Sequence, residues 1–407
     1  MNISLDIAKT YLFSNKKMTA VATLGVVLGM SIYIFMNSML VGFDKSSSAS
    51  IFKTTPHIRI YNDDVISKPL IQDTKEKYII TNPKIVPKTN TLINPKVIIE
   101  TLSKLSEVTV VTPQVATSVF FNNGKSQIAG SAIGIKPEEA NIMFDIKSYM
   151  VEGNFDVLKS NSNGIIIGSG IAEKMSLGIG DNVSITSSKS VTKNLKIIGI
   201  FKTNNSKVDK TTSYVNIASA QQFLKEGTSY VTDINVNILN PEKAEKTATT
   251  ISNLTGYKAE GWKEANATFM AANKMRKIII TFVSFTILIV AGFGIYNILN
   301  MTITQKINDI AILKAMGFKG KDVIRIFVSQ AISIGVAGVL GGMLIATVLI
   351  SILKNVYVGG DIGYFPIDYE PLKYLQGVIV GLFITFFAGY IPAKKAAKVD
   401  PVSIFRK

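Results

Sequence analysis

The sequence predicts a membrane α-helical protein: four transmembrane helices, with a large mixed α/β extracytoplasmic domain between helices 1 and 2. Three observations predict it. Four stretches, Met18–Phe43, Ile278–Gln305, Ile326–Leu353 and Tyr374–Ala393, run 26, 28, 28 and 20 residues without a Lys, Arg, Asp or Glu. A helix rising ~1.5 Å per residue needs about 20 such residues to cross ~30 Å of hydrocarbon, so all four qualify. A buried helix of that length in a soluble protein usually carries charges on one face. Between the first two stretches the chain is polar, with short β-branched runs of the kind that form strands. Lastly, basic residues gather on one side. With the N-terminus in the cytoplasm, the inner segments hold Lys9, Lys16 and Lys17, then Lys306, Lys314, Lys319, Lys321 and Arg325, then Lys394, Lys395, Lys398, Arg406 and Lys407. The acids beside them are Asp6, Asp309, Asp322 and Asp400. The outer loop after the third stretch has Lys354 and Lys373 against Asp361, Asp368 and Glu370. The positive-inside rule therefore puts both termini in the cytoplasm.

Residues 1–17 precede the first span. Ile3, Ile7 and Tyr11, with Leu5, Ala8 and Leu12, fall at helical spacing and fit an amphipathic helix on the inner membrane surface. A disordered leader is the alternative. Helix 1, residues 18–43, follows Lys16 and Lys17 but is too long for a signal-peptide h-region, and no small-x-small cleavage site closes it. It reads as an uncleaved anchor.

Residues 44–277 form the large domain. Strands are expected at His57–Tyr61, Val108–Thr112, Gly164–Ile167, Val183–Thr186, Leu195–Phe201 and Ile234–Ile238. Helices are expected at Pro95–Leu105, Gly170–Met175, Ser219–Lys225 and Pro241–Leu254. Turns are marked by Asn122–Gly124, Asn161–Gly164 and Asn204–Ser206. Lys274, Arg276 and Lys277 sit where the domain re-enters the membrane, as snorkelling anchors or as contacts for anionic lipid.

Helix 2 spans 278–305, a cytoplasmic loop 306–322, helix 3 323–353, an outer loop 354–373, helix 4 374–393 and a cytoplasmic tail 394–407. Three spans place two glycines one turn apart on one face: Gly25 and Gly29, Gly338 and Gly342, Gly377 and Gly381. Such faces let helices approach closely in lipid. Helix 2 lacks the pattern and offers Asn297 and Asn300 as hydrogen-bonding groups toward a neighbour. In the 306–322 loop, Ile307, Ile310, Ala311 and Lys314 recur at i, i+3, i+4 and i+7, and Gly317 is placed to stop the helix. A short amphipathic helix there fits a partner's groove, and a solvated or membrane-lying turn is the alternative.

Chemical signals are few. The absence of Cys excludes disulfides, thiolate catalysis and a lipidated cysteine. A lone histidine, His57, cannot build the usual zinc site. There is no G-x-S-x-G, no H-E-x-x-H, no Asp-rich calcium loop and no G-x-x-x-x-G-K-[ST]. No catalytic residue, metal or cofactor is assigned, and the chain is not expected to hydrolyse ATP. The net charge of +16 divides into topology and ordinary surface charge, so nucleic acid is not an expected partner.

The segment Asp309-Ile310-Ala311-Ile312-Leu313-Lys314-Ala315-Met316-Gly317 resembles the coupling-helix motif of FtsX-like and MacB-like ABC transporter permeases. Val323–Gln330 with Gly335 and Gly338 is similar to the family's third span. Pro392-Ala393, Ala396-Ala397 and Asp400-Pro401-Val402 are similar to its ending. Within the large domain, Gly164–Gly168, Ala172, Leu177–Val183 and Ile198–Phe201 match a MacB-like core domain. Thr55-Pro-His-Ile-Arg59 and Trp262-Lys-Glu-Ala-Asn266 resemble the lipoprotein-releasing (LolC/LolE-like) branch.

The resemblance implies a permease subunit that pairs with a second copy or a sister chain and binds a separate cytoplasmic ATPase (LolD-like). Asp309, Ile310, Leu313, Lys314, Met316 and Gly317 would meet that ATPase, and cargo would be lipoproteins drawn from the inner membrane among its lipids. Efflux of peptides or amphiphiles, and signalling to a cell-wall hydrolase, are the alternatives. One departure bears on a periplasmic lipoprotein carrier. LolC-type chains insert a proline-containing hook where this chain has only Ser187–Asn194, without proline.

Overall fold

Contacts divide the computed structural model into two units, Met1–Ser47 with Ala271–Lys407, and Ser48–Met270. It describes residues 3–63, 65–66, 85–86, 91–203, 205–359 and 363–405. Asn204, Asp361, Arg406 and Lys407, which carried expectations above, lie outside the described residues.

The chain begins with helices α1 (Ile3–Ser14) and α2 (Lys16–Phe52). Strands β1 (Ile58–Tyr61), β2 (Val65–Ile66) and β3 (Ile85–Val86) follow, then α3 (Pro95–Ser103), β4 (Val108–Asn123) and β5 (Ser126–Ile135). Next come α4 (Pro137–Phe144), β6 (Met150–Gly153), α5 (Val157–Ser160), β7 (Gly164–Gly168), α6 (Ser169–Met175), β8 (Asn182–Ser187) and β9 (Thr192–Phe201). The unit closes with α7 (Ser206–Thr211), β10 (Thr212–Asn216), α8 (Ile217–Phe223), β11 (Asp233–Ile238), α9 (Ala244–Thr255), β12 (Lys258–Gly261) and α10 (Trp262–Ala265). The C-terminal elements are α11 (Ala267–Gln305), α12 (Ile307–Ala315), α13 (Gly320–Lys354), β13 (Tyr357–Gly359), β14 (Gly363–Tyr364), α14 (Pro371–Ala396) and α15 (Pro401–Phe405).

Local chemistry sets many of these boundaries. Pro95, Pro137 and Pro371 open their helices at positions where the missing N–H has no intrahelical partner anyway. Asn205 and Asn216 accept from backbone N–H groups two residues on, capping α7 and α8. Gly256, at φ +73°, ends α9 in the left-handed conformation that a side chain disfavours.

In the α/β unit the strands run β12-β1-β11-β4-β5-β10-β7-β9-β6, with β8 bridging β4 and β9. β4 belongs to two half-sheets. Val108–Gln114 pairs β11, while Val115–Asn123 pairs β5. The first half-sheet covers a core of Ile58, Ile60, Leu102, Ile234, Ile251 and Trp262. The second covers Val115, Phe121, Ile165, Ile167, Ile185 and Phe223. β7 is buried at every position, which explains the unbroken Gly-Ile-Ile-Ile-Gly run. It pairs parallel to β9 and antiparallel to β10.

Four helices, α2, α11, α13 and α14, are long and apolar enough to cross a membrane. Their lengths of 37, 39, 35 and 26 residues exceed the charge-free stretches, and α2 and α14 run on past Gly42 and Pro392 at the ends of theirs. Their cores stack in layers, with Ala22, Val26, Ile295, Leu299 and Ile334 in one and Met30, Ile34, Val339 and Ile350 in another. Arg276 of α11 lies 3.9 Å from the Phe43 ring centroid and 3.4 Å from an Asp44 oxygen, tying α11 to α2. Lys274 and Lys277 are exposed.

Candidate functional site

The short helix α12 is where sequence reading concentrated its expectations. Asp309 in its first turn and Lys314 in its last complement the helix dipole. Gly317 adopts φ +100° just past its end. Its N–H donates to Lys314 O and that of Phe318 donates to Leu313 O, both at 3.1 Å. This is a Schellman stop, and it requires the left-handed residue that glycine supplies at least cost.

The six residues assigned to a partner contact do not share one face. Ile310 is fully buried among Ala8, Tyr11, Phe327, Ala393 and Ala396, and its neighbour Ala311 is buried as well. Ile310 seats the helix and offers no surface to a partner. Leu313 packs against the same cluster. Lys314 also turns inward, its Nζ donating to Ala397 O at 3.1 Å and to Val399 O at 2.6 Å. Asp309 is partly exposed and pairs with Lys306 at 3.1 Å. The outward face is Asn308, Ile312, Ala315, Met316 and Gly317. Ile312 and Met316, 47% and 70% exposed, are large apolar side chains that stand open at this face.

The N-terminal helix completes the seat. Tyr11 is buried, 6.0 Å from the Phe327 ring, and Lys306 lies 5.6 Å above it. Asn15 Nδ2 donates to Gln305 Oε1 at 3.1 Å. The amphipathic spacing of residues 7–12 was visible in sequence, but its partner was not. Nothing in a local pattern says that Ala8 and Tyr11 meet residues some three hundred positions later.

Five of the six packing glycines lie in contact with another helix. A Cβ on Gly29 would stand 2.9 Å from Ala291 Cβ, one on Gly338 2.5 Å from Val26 Cβ, and one on Gly342 2.6 Å from Met30 Cβ. On Gly377 and Gly381 it would meet Met30 and Val339 at 2.5 and 3.1 Å. Gly25 departs from the other five, since a Cβ there would meet nothing within 4 Å beyond its own helix among the described residues. Asn297 and Asn300 also depart, since both are exposed and neither side chain bonds a neighbouring helix among the described residues. α11 gains its close approach through Gly292 instead, whose Cβ would sit 2.6 Å from Ile384. Gly335 and Gly389, against Thr385 and Ala331, are equally tight and were not singled out for packing.

In the α/β unit the segments 55–59 and 262–266 meet. β1 pairs with β12 in the register Ile58↔Gly261, and Trp262 N–H donates to His57 O at 3.0 Å. Phe52 places its ring edge-on to both His57 and Trp262, with centroids 4.8 and 5.0 Å away. Arg59 forms an ion pair with the buried Asp233. These residues lock where the chain enters the unit to where it leaves. Burial holds the His57 imidazole below its ordinary pKa, partly offset by the Ile238 backbone. Between β8 and β9 only residues 188–191 intervene. Ser187 closes that turn, accepting from the Lys189 and Val191 amides and donating to Phe223 O.

Known proteins align with both units. Residues 19–254 match the MacB-like periplasmic core domain and residues 281–401 the FtsX-like permease C-terminal domain. The lipoprotein-releasing system transmembrane protein LolC of Buchnera aphidicola is 27% identical, with the match covering 97% of this chain and 95% of that protein. LolC of Neisseria meningitidis is 24% identical over 95% and 94% of the two chains. The macrolide export ATP-binding/permease protein MacB of Psychrobacter arcticus is 24% identical over 51% of this chain and 32% of that one.

Proposed function

This chain belongs to the FtsX-like permeases that carry a MacB-like periplasmic core domain, and on that premise we propose that it is the permease subunit of an ABC transporter releasing lipoproteins from the inner membrane. The LolC relatives are matched over nearly their whole length, whereas the MacB match leaves most of that longer protein unaccounted for. ATP hydrolysis then belongs to a separate cytoplasmic subunit, because this sequence has no phosphate-binding loop.

The observation that carries the coupling role is the exposed Ile312–Met316 face on a helix seated by Ile310 and stopped at Gly317. An apolar pair on a rigid, membrane-adjacent helix suits a groove on an ATPase. Asp309 and Gly317 border that face, while Ile310, Leu313 and Lys314 hold it in place. The cation distribution supports cytoplasmic termini and an outward α/β unit. A second permease chain fits the uncovered Gly25 and the exposed asparagines of α11.

Driving force comes from ATP because moving one acyl chain of ~14 methylenes into water costs about 11 kcal/mol at ~0.8 per methylene. The tight 188–191 turn leaves no hook for a carrier, so carrier recruitment falls to a sister subunit or to another surface.

Depletion of this protein in its native cell, followed by quantitative proteomics of inner-membrane fractions, tests the reading. Acylated lipoproteins should accumulate there. No accumulation, with new sensitivity to amphiphilic drugs or peptides, would replace lipoprotein release by efflux.

A further inference from the structure

We propose that Lys314 is a positioning residue that fastens α12 to the end of α14, so that the coupling helix and the fourth membrane helix move as one lever. The proposal rests on the coupling reading above but concerns an internal joint, not the ATPase contact.

Lys314 stands in the last turn of α12, where a solvent-directed lysine would be unremarkable. Instead its ammonium reaches the carbonyls of Ala397 and Val399, at 3.1 and 2.6 Å. Both lie past the last residue of α14, where no further helical N–H arrives to satisfy them. A cation there also complements the negative end of the α14 dipole. The four-carbon stem of lysine and its several rotatable donors let one ammonium serve both carbonyls.

The joint extends beyond one side chain. Leu313 and Val399 pack on the same cluster that holds Ile310, Ala393 and Ala396. Gly320, the first residue of α13, lies so close to Ala397 that a Cβ would stand 3.3 Å from its carbonyl oxygen. α12 further packs on α15. A displacement of α12 is therefore delivered to α14 directly, as well as along the chain into α11 and α13.

The chain has no cysteine, so paired spin labels can be placed cleanly. Asn308→Cys on α12 and Lys394→Cys in the last turn of α14, both exposed, would be labelled in the full-length chain in lipid nanodiscs and their separation measured by pulsed electron paramagnetic resonance. The expected result is a narrow distance distribution that broadens at least twofold in Lys314→Met and narrows again in Lys314→Arg. Lys314→Gln, polar but too short to reach both carbonyls, serves in the same way should the methionine variant fail to insert. An unchanged width in these variants would overturn the joint.

The second arm uses the complex with its co-purified ATPase, trapped with Mg-ATP and vanadate. The distance should stay as in the free chain. A shift beyond the label width would overturn the single lever while leaving the coupling role of Ile312 and Met316 intact. That role fails separately, if an Ile312→Asp, Met316→Asp double variant still binds the ATPase and transports cargo.

Discussion

His57 illustrates how a single residue gains its meaning from distant chain. Its Nδ1 lies 3.1 Å from both the amide nitrogen and the carbonyl oxygen of Ile238, and its ring stands edge-on to Phe52. Burial disfavours the imidazolium, so the folded pKa lies below the ordinary 6.5. The unfolded chain takes up the proton first as pH falls. Its contribution to stability is therefore complete above about pH 6.5 and lost as pH drops through the folded value. Thermal unfolding of the α/β unit should shift down between pH 7 and pH 5 by more in the native chain than in His57→Gln. Parallel shifts in both would remove His57 as the cause. From sequence, a lone histidine already excluded a zinc site of the usual type, but its packing role was illegible because Ile238 lies 181 residues away. The same limit applies to Ile310 and Lys314. The helical spacing grouped them with Ile307 and Ala311, and the family resemblance set them beside Met316, yet only the position of α1 and α14 decides that Ile310 and Lys314 face inward.

At the level of elements, the membrane helices were the most legible part of the chain. Charge-free runs report directly on the solvent that surrounds them, whatever the tertiary fold. Helix ends were less so, since α2 continues through Asp44 and Lys45 to Phe52 and nothing before Pro56 obliges it to stop. Glycine pairs marked close packing but not its partner. Gly338→Leu should destabilise the bundle by about 1–3 kcal/mol or more through overpacking against Val26. Gly25→Leu should leave the isolated chain unchanged, because a Cβ there meets no other helix among the described residues within 4 Å. Denaturation midpoints of the two variants in detergent check both statements. Equal losses would mean that Gly25 is covered in the folded chain. On α11 no glycine pair one turn apart marks the contact, because Gly292 and Ala291 achieve what a spaced pair does elsewhere.

For the whole molecule, the orientation drawn from Lys and Arg yields a direct test. A membrane-impermeant maleimide should label Lys189→Cys, in the exposed 188–191 turn, from outside cells with a permeabilised outer membrane. It should reach Val402→Cys only after lysis, and the opposite order would invert the topology. Strand and helix positions in the α/β unit were readable from β-branched runs and from Gly and Asn turns. Their pairing was not, since β4 splits its length between two half-sheets at Gln114 and Val115 and no local pattern announces that division. The joining of β1 to β11 and β12 has a bearing on biosynthesis. Ile58–Tyr61 leaves the ribosome early, yet both strands that flank it are among the last of the unit to be made. At roughly 5–20 residues per second, the ~200 intervening residues keep that strand waiting about 10–40 s. Through that interval its backbone groups have no sheet partner, and its brevity and the charge of Arg59 guard it against pairing with another nascent chain. Assembly of this unit is thus timed by the arrival of its final strands, just before α11 is delivered to the membrane.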